Sequence, residues 1–442
     1  MVLVSGMPQG ALAQRSISFI RDAEIEDIIR QWATPVFTAA GLDASAIRIY
    51  LVNDPRLNAF VAGGQNLFIH TGTLMRSDTA NQVIGVMAHE TGHIAGGHLA
   101  RAQEVLRNAT IQSVIAMVLG GVAGAMARGG ASGAGGAIMS GGMGIGQQTF
   151  LTYSRQQEAA ADQAGMSFLD RTGQSSKGLY DFFKILEGQE LLSPQMQDPY
   201  LRTHPLTQER MDVVADHLRR SKFADAKDSP EIVEQHKRMK AKLAGFINPS
   251  GQTLATYKEN DTSVAARYAR AIALYRIPDL PKAVPLVEGL VRDEPKNPYF
   301  QELYGQMLFE NGKIRDAVPH YEAAVKLQPR SALLRIELAQ AQTETNDPAL
   351  NKQALANLTE ASRVEDRNPE VWRLLAIAYG RDDNLGMSAL SLAEQAMAQG
   401  DKKQAIQQAI RASRLLPPGT PGRMRAEDLK EAARRLEDPE RQ

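Results

Sequence analysis

Within this chain of 442 residues the plainest chemical statement is a five-residue run, His89-Glu90-Thr91-Gly92-His93. On a helix, spacing of i and i+4 puts both imidazoles on one face, where they can share a tetrahedral ion, and sets Glu90 beside the ion's open position. Zinc held there would acidify a water to a pKa of roughly 7, with Glu90 as the general base. The flanking Val86, Met87, Ala88 and Ile94 are apolar, so this helix is expected to be buried, where two histidines and a glutamate are costly to desolvate without a cation. The chain has no cysteine, which excludes disulfides, thiol catalysis and thiolate ligands and leaves nitrogen and oxygen donors. Two imidazoles and a carboxylate accept several divalent metals, and zinc suits a tetrahedral hydrolytic site best.

Two ligands are not enough. A third histidine six residues beyond His93 is ruled out, because Leu99 stands there. His98 lies about 140° round the helix from His93 at roughly 100° per residue, so it is expected to point away as a surface or structural histidine. A glutamate further along is then needed, and Glu158, in a helical, alanine-rich stretch that allows close packing, is the best candidate. Asp162, one turn later on the same face, can accept a hydrogen bond from the outer nitrogen of a ligating histidine, which fixes tautomer and basicity. His204, followed by Pro205, reads by itself as a loop residue.

These residues need elements to hold them. Apolar residues at helical spacing (Ile28, Ile29, Trp32, Val36, Phe37) predict a helix over 25–40. Short β-prone runs at 47–52, 59–62 and 66–70, broken by Asn53-Asp54-Pro55 and Gly63-Gly64, predict a small antiparallel sheet of three strands. A long helix is expected over 81–106, capped by Asp78 or Thr79, and helical pattern resumes from Thr149 to about Arg220. Between them, 111–148 is apolar and then glycine-rich: too short and broken for a membrane span, it is either a lid or membrane-facing segment or a loop packing its apolar half on the domain.

Beyond Asp261 the chain repeats with a period of about 34 residues, the length of paired-helix units. Units at 264–297 and 298–331 end in Pro295 and Pro329 at the same offset, and Gly305, Leu308, Ala317, Tyr321 and Ala324 fall where tetratricopeptide repeats alternate small and large residues. A third unit begins near 332, Trp372 and Tyr379 mark a degenerate fourth, and a last unit spans 386–419. The fold class expected is an α+β metalloprotease domain, mostly helical with a small antiparallel sheet, followed by an all-α tetratricopeptide-repeat solenoid. Its boundaries are a signal-peptide remnant at 1–13, ending in Ala11-Leu12-Ala13, the peptidase domain at 14–220, a connector at 221–261, repeats at 262–420 and a helical tail at 421–442. Fifty basic residues balance fifty acidic ones, so no nucleic-acid partner is expected.

The order of HETGH, Ser154-Arg155 with Glu158 and Asp162, and Thr203-His204-Pro205-Leu206 with Arg210 resembles that of the CAAX prenyl-protease-like zinc metallopeptidases. With the repeats appended, it is similar to the bacterial periplasmic members of that family. The resemblance implies one zinc per chain on His89, His93 and Glu158, and Glu90 as base. Asp162 would serve as proton donor or as support to a ligand. His204 either donates to the oxyanion or occupies the metal's open position and holds the enzyme inactive, and Arg210 positions it or stabilises the oxyanion. It also implies that a strand edge at Asn58, Ala59 and Phe60 pairs with extended substrate.

The function expected is a periplasmic zinc endopeptidase, secreted through a cleaved signal peptide, acting on misfolded or stalled outer-membrane proteins. Unfolded or extended polypeptides are its substrates, the outer-membrane assembly machinery its partner through the repeats, and a peripheral membrane contact is possible through 111–148. The alternative is a repeat-based chaperone or scaffold whose metal site is latched or idle.

Overall fold

The computed structural model describes residues 18–98, 155–192 and 196–437. The signal-peptide remnant and the segment 111–148 lie outside the described residues. The chain forms two units, one of Met1–Ile20 with Ile29–Val233, the other of Arg21–Ile28 with Glu234–Gln442.

The first unit is built on a sheet and a central helix. Strand β1 (Phe19–Ile20) precedes helix α1 (Ala23–Ala39), and β2 (Arg48–Val52), β3 (Ala59–Ala62) and β4 (Asn66–His70) follow. The predicted strands form, but the sheet is mixed and four-stranded, in the order β1-β2-β4-β3. β2 and β4 run parallel, with Tyr50 opposite Phe68, while β3 and β4 are antiparallel. The departure from an all-antiparallel sheet has a local cause. The link 53–58 carries the chain one strand position past β2, and Gly63 and Gly64, at φ of 57° and 96°, fold β4 back into the gap. Stacked Tyr50, Phe68 and Phe60, with ring centroids 5.0 and 4.8 Å apart, bind the three strands on one face.

After α2 (Thr71–Arg76) comes α3 (Ala80–Ala95), capped by Thr79, whose side chain accepts from the backbone N–H of Gln82. The helix expected over 81–106 ends at Ala95, because Gly96 and Gly97 follow and Gly97 takes φ +62°. Helices α4 (Arg155–Arg171) and α5 (Lys177–Leu186) pack on α3. Glycines set the spacing. A Cβ on Gly92 would lie 2.6 Å from the carbonyl oxygen of Ala161, and one on Gly165 would lie 3.1 Å from the carbonyl carbon of Ala88, so α3 and α4 meet backbone to backbone. A Cβ on Gly85 would likewise meet the backbone N of Leu179 on α5 at 2.6 Å. Two further helices, α6 (Pro199–Thr203) and α7 (Gln208–Arg220), close the unit.

The second unit is a run of helical hairpins. The stretch expected as a connector carries α8 (Pro230–Ile247) and α9 (Ser250–Thr256). Then follow α10 (Val264–Arg276), α11 (Leu280–Asp293), α12 (Pro298–Glu310), α13 (Ile314–Leu327), α14 (Ala332–Glu344) and α15 (Pro348–Ser362). The chain continues through α16 (Pro369–Arg381), α17 (Leu385–Gln399), α18 (Lys402–Leu415) and α19 (Pro421–Glu437). Starts are written locally: Asn297-Pro298 and Asn368-Pro369 each place a capping side chain before a proline at the first helical position. The small residues of the repeat do what the pattern requires. Ala271, Ala283, Ala317, Ala324, Ala405 and Ala409 are fully buried, and Gly305 faces the Tyr321 ring. Arg21–Ile28 joins this unit through a buried ion cluster, in which Lys242 Nζ lies 2.8 Å from Asp22 and 3.4 Å from Glu302.

Candidate metal centre

The site forms where α3, α4 and the α6–α7 turn converge. Because Gly92 and Gly165 let the two helix backbones touch, His89 and His93 on α3 face Glu158 and Asp162 on α4, and all four are buried. Nε2 of His89 and Nε2 of His93 stand 3.1 Å apart. Glu158 brings its carboxylate to 3.5 Å from His89 Nε2 and 3.3 Å from His93 Nε2. His204, which caps the C-terminus of α6, completes a four-residue cluster: its Nδ1 is 3.4 Å from His89 Nε2 and 3.1 Å from Glu158 Oε1. One donor atom from each of these four residues lies within 4.8 Å of all the others.

These separations match the needs of a small cation. At metal–ligand bonds of about 2.0–2.1 Å, neighbouring corners of a tetrahedron are about 3.3–3.4 Å apart; His89, His93 and Glu158 stand 3.1 to 3.5 Å from one another, His204 lies 3.1 to 3.4 Å from Glu158 and His89, and the whole set falls within 4.8 Å. The donor set of imidazoles and one carboxylate suits zinc or another borderline divalent ion.

Around the cluster a rigid frame is built. Asp162 Oδ1 takes a 2.8 Å hydrogen bond from Nδ1 of His89, on the far side of the ring from the cluster. Arg210, on α7, holds both α4 carboxylates: its Nε lies 2.6 Å from Asp162 Oδ2 and its Nη1 2.6 Å from Glu158 Oε2. The same Nη1 donates to the carbonyl of Pro205, so Arg210 ties the residue after His204 to the carboxylates. The Tyr200 ring stacks on the His204 ring at 4.6 Å. α6 is in turn fixed to the start of β3, since Asp198 accepts from the backbone N–H of Leu57 and Leu57 accepts from that of Tyr200.

The electrostatics sort the carboxylates. Burial opposes the charge on Glu158, but His204, His89 and His93 outweigh it and hold the carboxyl far below its usual range. Burial likewise opposes ionised Asp162, and Arg210 and His89 keep its pKa low. Glu90 goes the other way: burial pushes its pKa up, only partly countered by His204 and His89. Neither Glu90 oxygen makes a hydrogen bond among the described residues, and Oε1 stands 3.4 Å from His204 Nε2.

His98 behaves differently from expectation, and Tyr200 joins the site without having been expected there. His98 does not point away: its Nδ1 lies 3.0 Å from Nδ1 of His93, because the helix ends before it and the 100° step no longer applies. Tyr200, against His204, carries no sequence motif that would single it out. Ala59 and Phe60 lie on β3, at an edge of the described sheet. Asn58 spends its backbone inward, its N–H donating to Thr73 Oγ1 at 2.9 Å and its C=O accepting from the His70 N–H at 3.0 Å.

Residues 20–217 match the model of peptidase family M48, and residues 308–376 match a tetratricopeptide-repeat model. The chain is similar to the beta-barrel assembly-enhancing protease of Yersinia pestis, 26% identical over 83% of this chain and 76% of that protein. The protein of that name from Escherichia coli K12 is also 26% identical, over 88% of this chain and 79% of its own length. Metalloprotease LoiP of the same strain is 28% identical over 39% of this chain and 62% of its own. Among solved structures, the crystal structure of yeast Tom70 aligns with 94% of this chain and 81% of its own at 13% identity and a TM-score of 0.32. The chain therefore carries a peptidase family M48 metallopeptidase domain followed by tetratricopeptide repeats.

Proposed function

We propose that this chain is a zinc-dependent endopeptidase of the bacterial cell envelope, periplasmic, that cuts misfolded or stalled outer-membrane proteins delivered in extended form. The observation that carries the reading is the convergence of four buried donors, from His89, His93, Glu158 and His204, within 4.8 Å of one another. The relatives named for beta-barrel assembly support the substrate class. The repeats supply a binding surface for that assembly machinery. No helix among the described residues is long and apolar enough to cross a membrane.

In this reading His89, His93 and Glu158 hold the ion, and Asp162 orients His89 from behind. When bound, zinc supplies Lewis acidity, polarising the scissile carbonyl and lowering the pKa of a water. Glu90, whose oxygens make no hydrogen bond among the described residues and whose pKa is raised by burial, accepts that water's proton and passes it to the leaving amine. Arg210 keeps Asp162 ionised, pairs with Glu158 and fixes the turn that bears His204. Ala59 and Phe60 offer an edge for pairing with an extended substrate, and Asn58 anchors that edge.

The approach of His204 Nδ1 to within 3.4 Å of His89 Nε2 and 3.1 Å of Glu158 Oε1 favours a latch over an oxyanion donor. A latched site also suits the second reading, a repeat-based chaperone that rarely cuts. Metal content of the purified chain, with casein cleavage by the parent and by His89→Ala, Glu90→Gln and His204→Ala, separates the readings. About one zinc per chain is expected, lost in His89→Ala and kept in Glu90→Gln, whose cleavage falls by roughly 10²–10⁴-fold. His204→Ala cuts faster if His204 is a latch. A chain that takes up no zinc, with no cleavage by any variant after zinc is supplied, overturns the peptidase reading.

A further inference from the structure

The two α3 histidines are braced in different ways. Nδ1 of His89 is backed by the Asp162 carboxylate at 2.8 Å, whereas Nδ1 of His93 is backed by another imidazole, Nδ1 of His98 at 3.0 Å. We propose that His98 is a positioning residue for the metal site, accepting a hydrogen bond from His93 Nδ1–H and fixing the rotamer and tautomer in which His93 Nε2 faces the cluster. The inference rests on the reading of His89, His93 and Glu158 as the metal set.

The chain is folded so as to make this contact. α3 ends in a Schellman motif: the N–H of Gly97 donates to the carbonyl of Ile94, and the N–H of His98 donates to that of His93, at 3.1 and 3.2 Å. Gly97, at φ +62°, supplies the left-handed residue that this turn requires. The motif brings the residue at the position of His98 back over the one at the position of His93, usually as an apolar contact. Here both are imidazoles, with rings edge-on at 75° and centroids 5.1 Å apart. Gly96 clears the way, since a Cβ there would lie 2.5 Å from His98 Nε2.

Proton placement follows from the donor count. His93 Nε2 is 3.1 Å from His89 Nε2 and 3.3 Å from Glu158 Oε1, so it is the atom that offers a lone pair to the ion. Its Nδ1 then carries the proton and donates, and His98 Nδ1 accepts, with the His98 proton on Nε2. His93 is thereby braced by a neutral partner and His89 by a charged one.

The test is zinc affinity of the full chain, by competition with a chromogenic chelator, for the parent, His98→Ala and His98→Asn, with melting of the metal-free proteins alongside. Removal of such a partner costs about 10–100-fold in metal affinity. That loss is expected for His98→Ala with the metal-free melting temperature unchanged, and His98→Asn, which keeps an acceptor near the Nδ1 position, recovers most of it. Affinity of His98→Ala within about twofold of the parent overturns the proposal, as does an equal loss in both variants accompanied by a lower metal-free melting temperature, which marks a role in folding alone. A parent that binds no zinc overturns the metal reading as well, whereas normal binding by the parent and both variants overturns only the assignment to His98.

Discussion

The peptidase unit and the repeat unit hold themselves together by opposite means. In the first, the decisive contacts join residues far apart in the chain: Gly92 with Ala161, His89 with Asp162, Arg210 with Glu158. In the second, apart from the ion cluster that ties Arg21–Ile28 to it, they are written within one helical hairpin and then written again, as caps such as Asn297 and buried alanines such as Ala317 and Ala324. An array whose parts touch only their neighbours absorbs a fault locally. A centre where three segments meet shares one fault among all of its members.

Matched substitutions would break or sharpen that contrast. The largest difference is expected for charge. Arg210→Met leaves Asp162 and Glu158 buried without their cation and should cost about 3–5 kcal/mol by denaturant titration. Arg373→Met in α16 removes a half-exposed partner of Glu370 and should cost roughly 0–1 kcal/mol. Equal losses would erase the distinction between the two units.

Glycine gives a smaller difference that changes sign. Gly92→Ala drives a methyl group against the Ala161 carbonyl and should destabilise by about 1–3 kcal/mol, with weaker zinc binding. Gly289→Ala, inside α11, meets nothing nearer than the Arg267 guanidinium at 3.5 Å and should stabilise by about 0.5–1 kcal/mol through helix propensity. Thermal melting of the two variants checks both signs. The last comparison has a single arm, at a cap: Asn297→Ala removes the acceptor for the Tyr299 N–H and should cost about 1 kcal/mol, with zinc affinity unchanged in the same preparation. A cap variant that lost metal would show that the repeats reach the site energetically.

The same contrast governs how much of the molecule is legible in its amino-acid sequence. The hairpins of the second unit are legible because their signals recur at a fixed offset and need no distant partner. HETGH is legible because i and i+4 spacing acts within one helix, and the next described helix offers Glu158 and Asp162 at the same spacing. The parallel pairing of β2 with β4 is not legible, since nothing local to either strand states that β4 slips between β2 and β3. His98 escapes because a helical angle carried through Gly96 and Gly97 sends it to the wrong side, when in fact the chain reverses there. The grip of Arg210 on both Glu158 and Asp162 joins two helices through side chains, a relation no spacing rule contains.

The contact between α3 and α4 has a consequence for rigidity. Gly92 and Gly165 remove the side chains that would separate the helices, so the distance between the histidine pair and Glu158 is set by main-chain atoms pressed together. Side chains hop between rotamers, but a packed main chain does not. Little ordering entropy is then left to lose when an ion arrives, and the donors wait at a separation that thermal motion cannot readily widen.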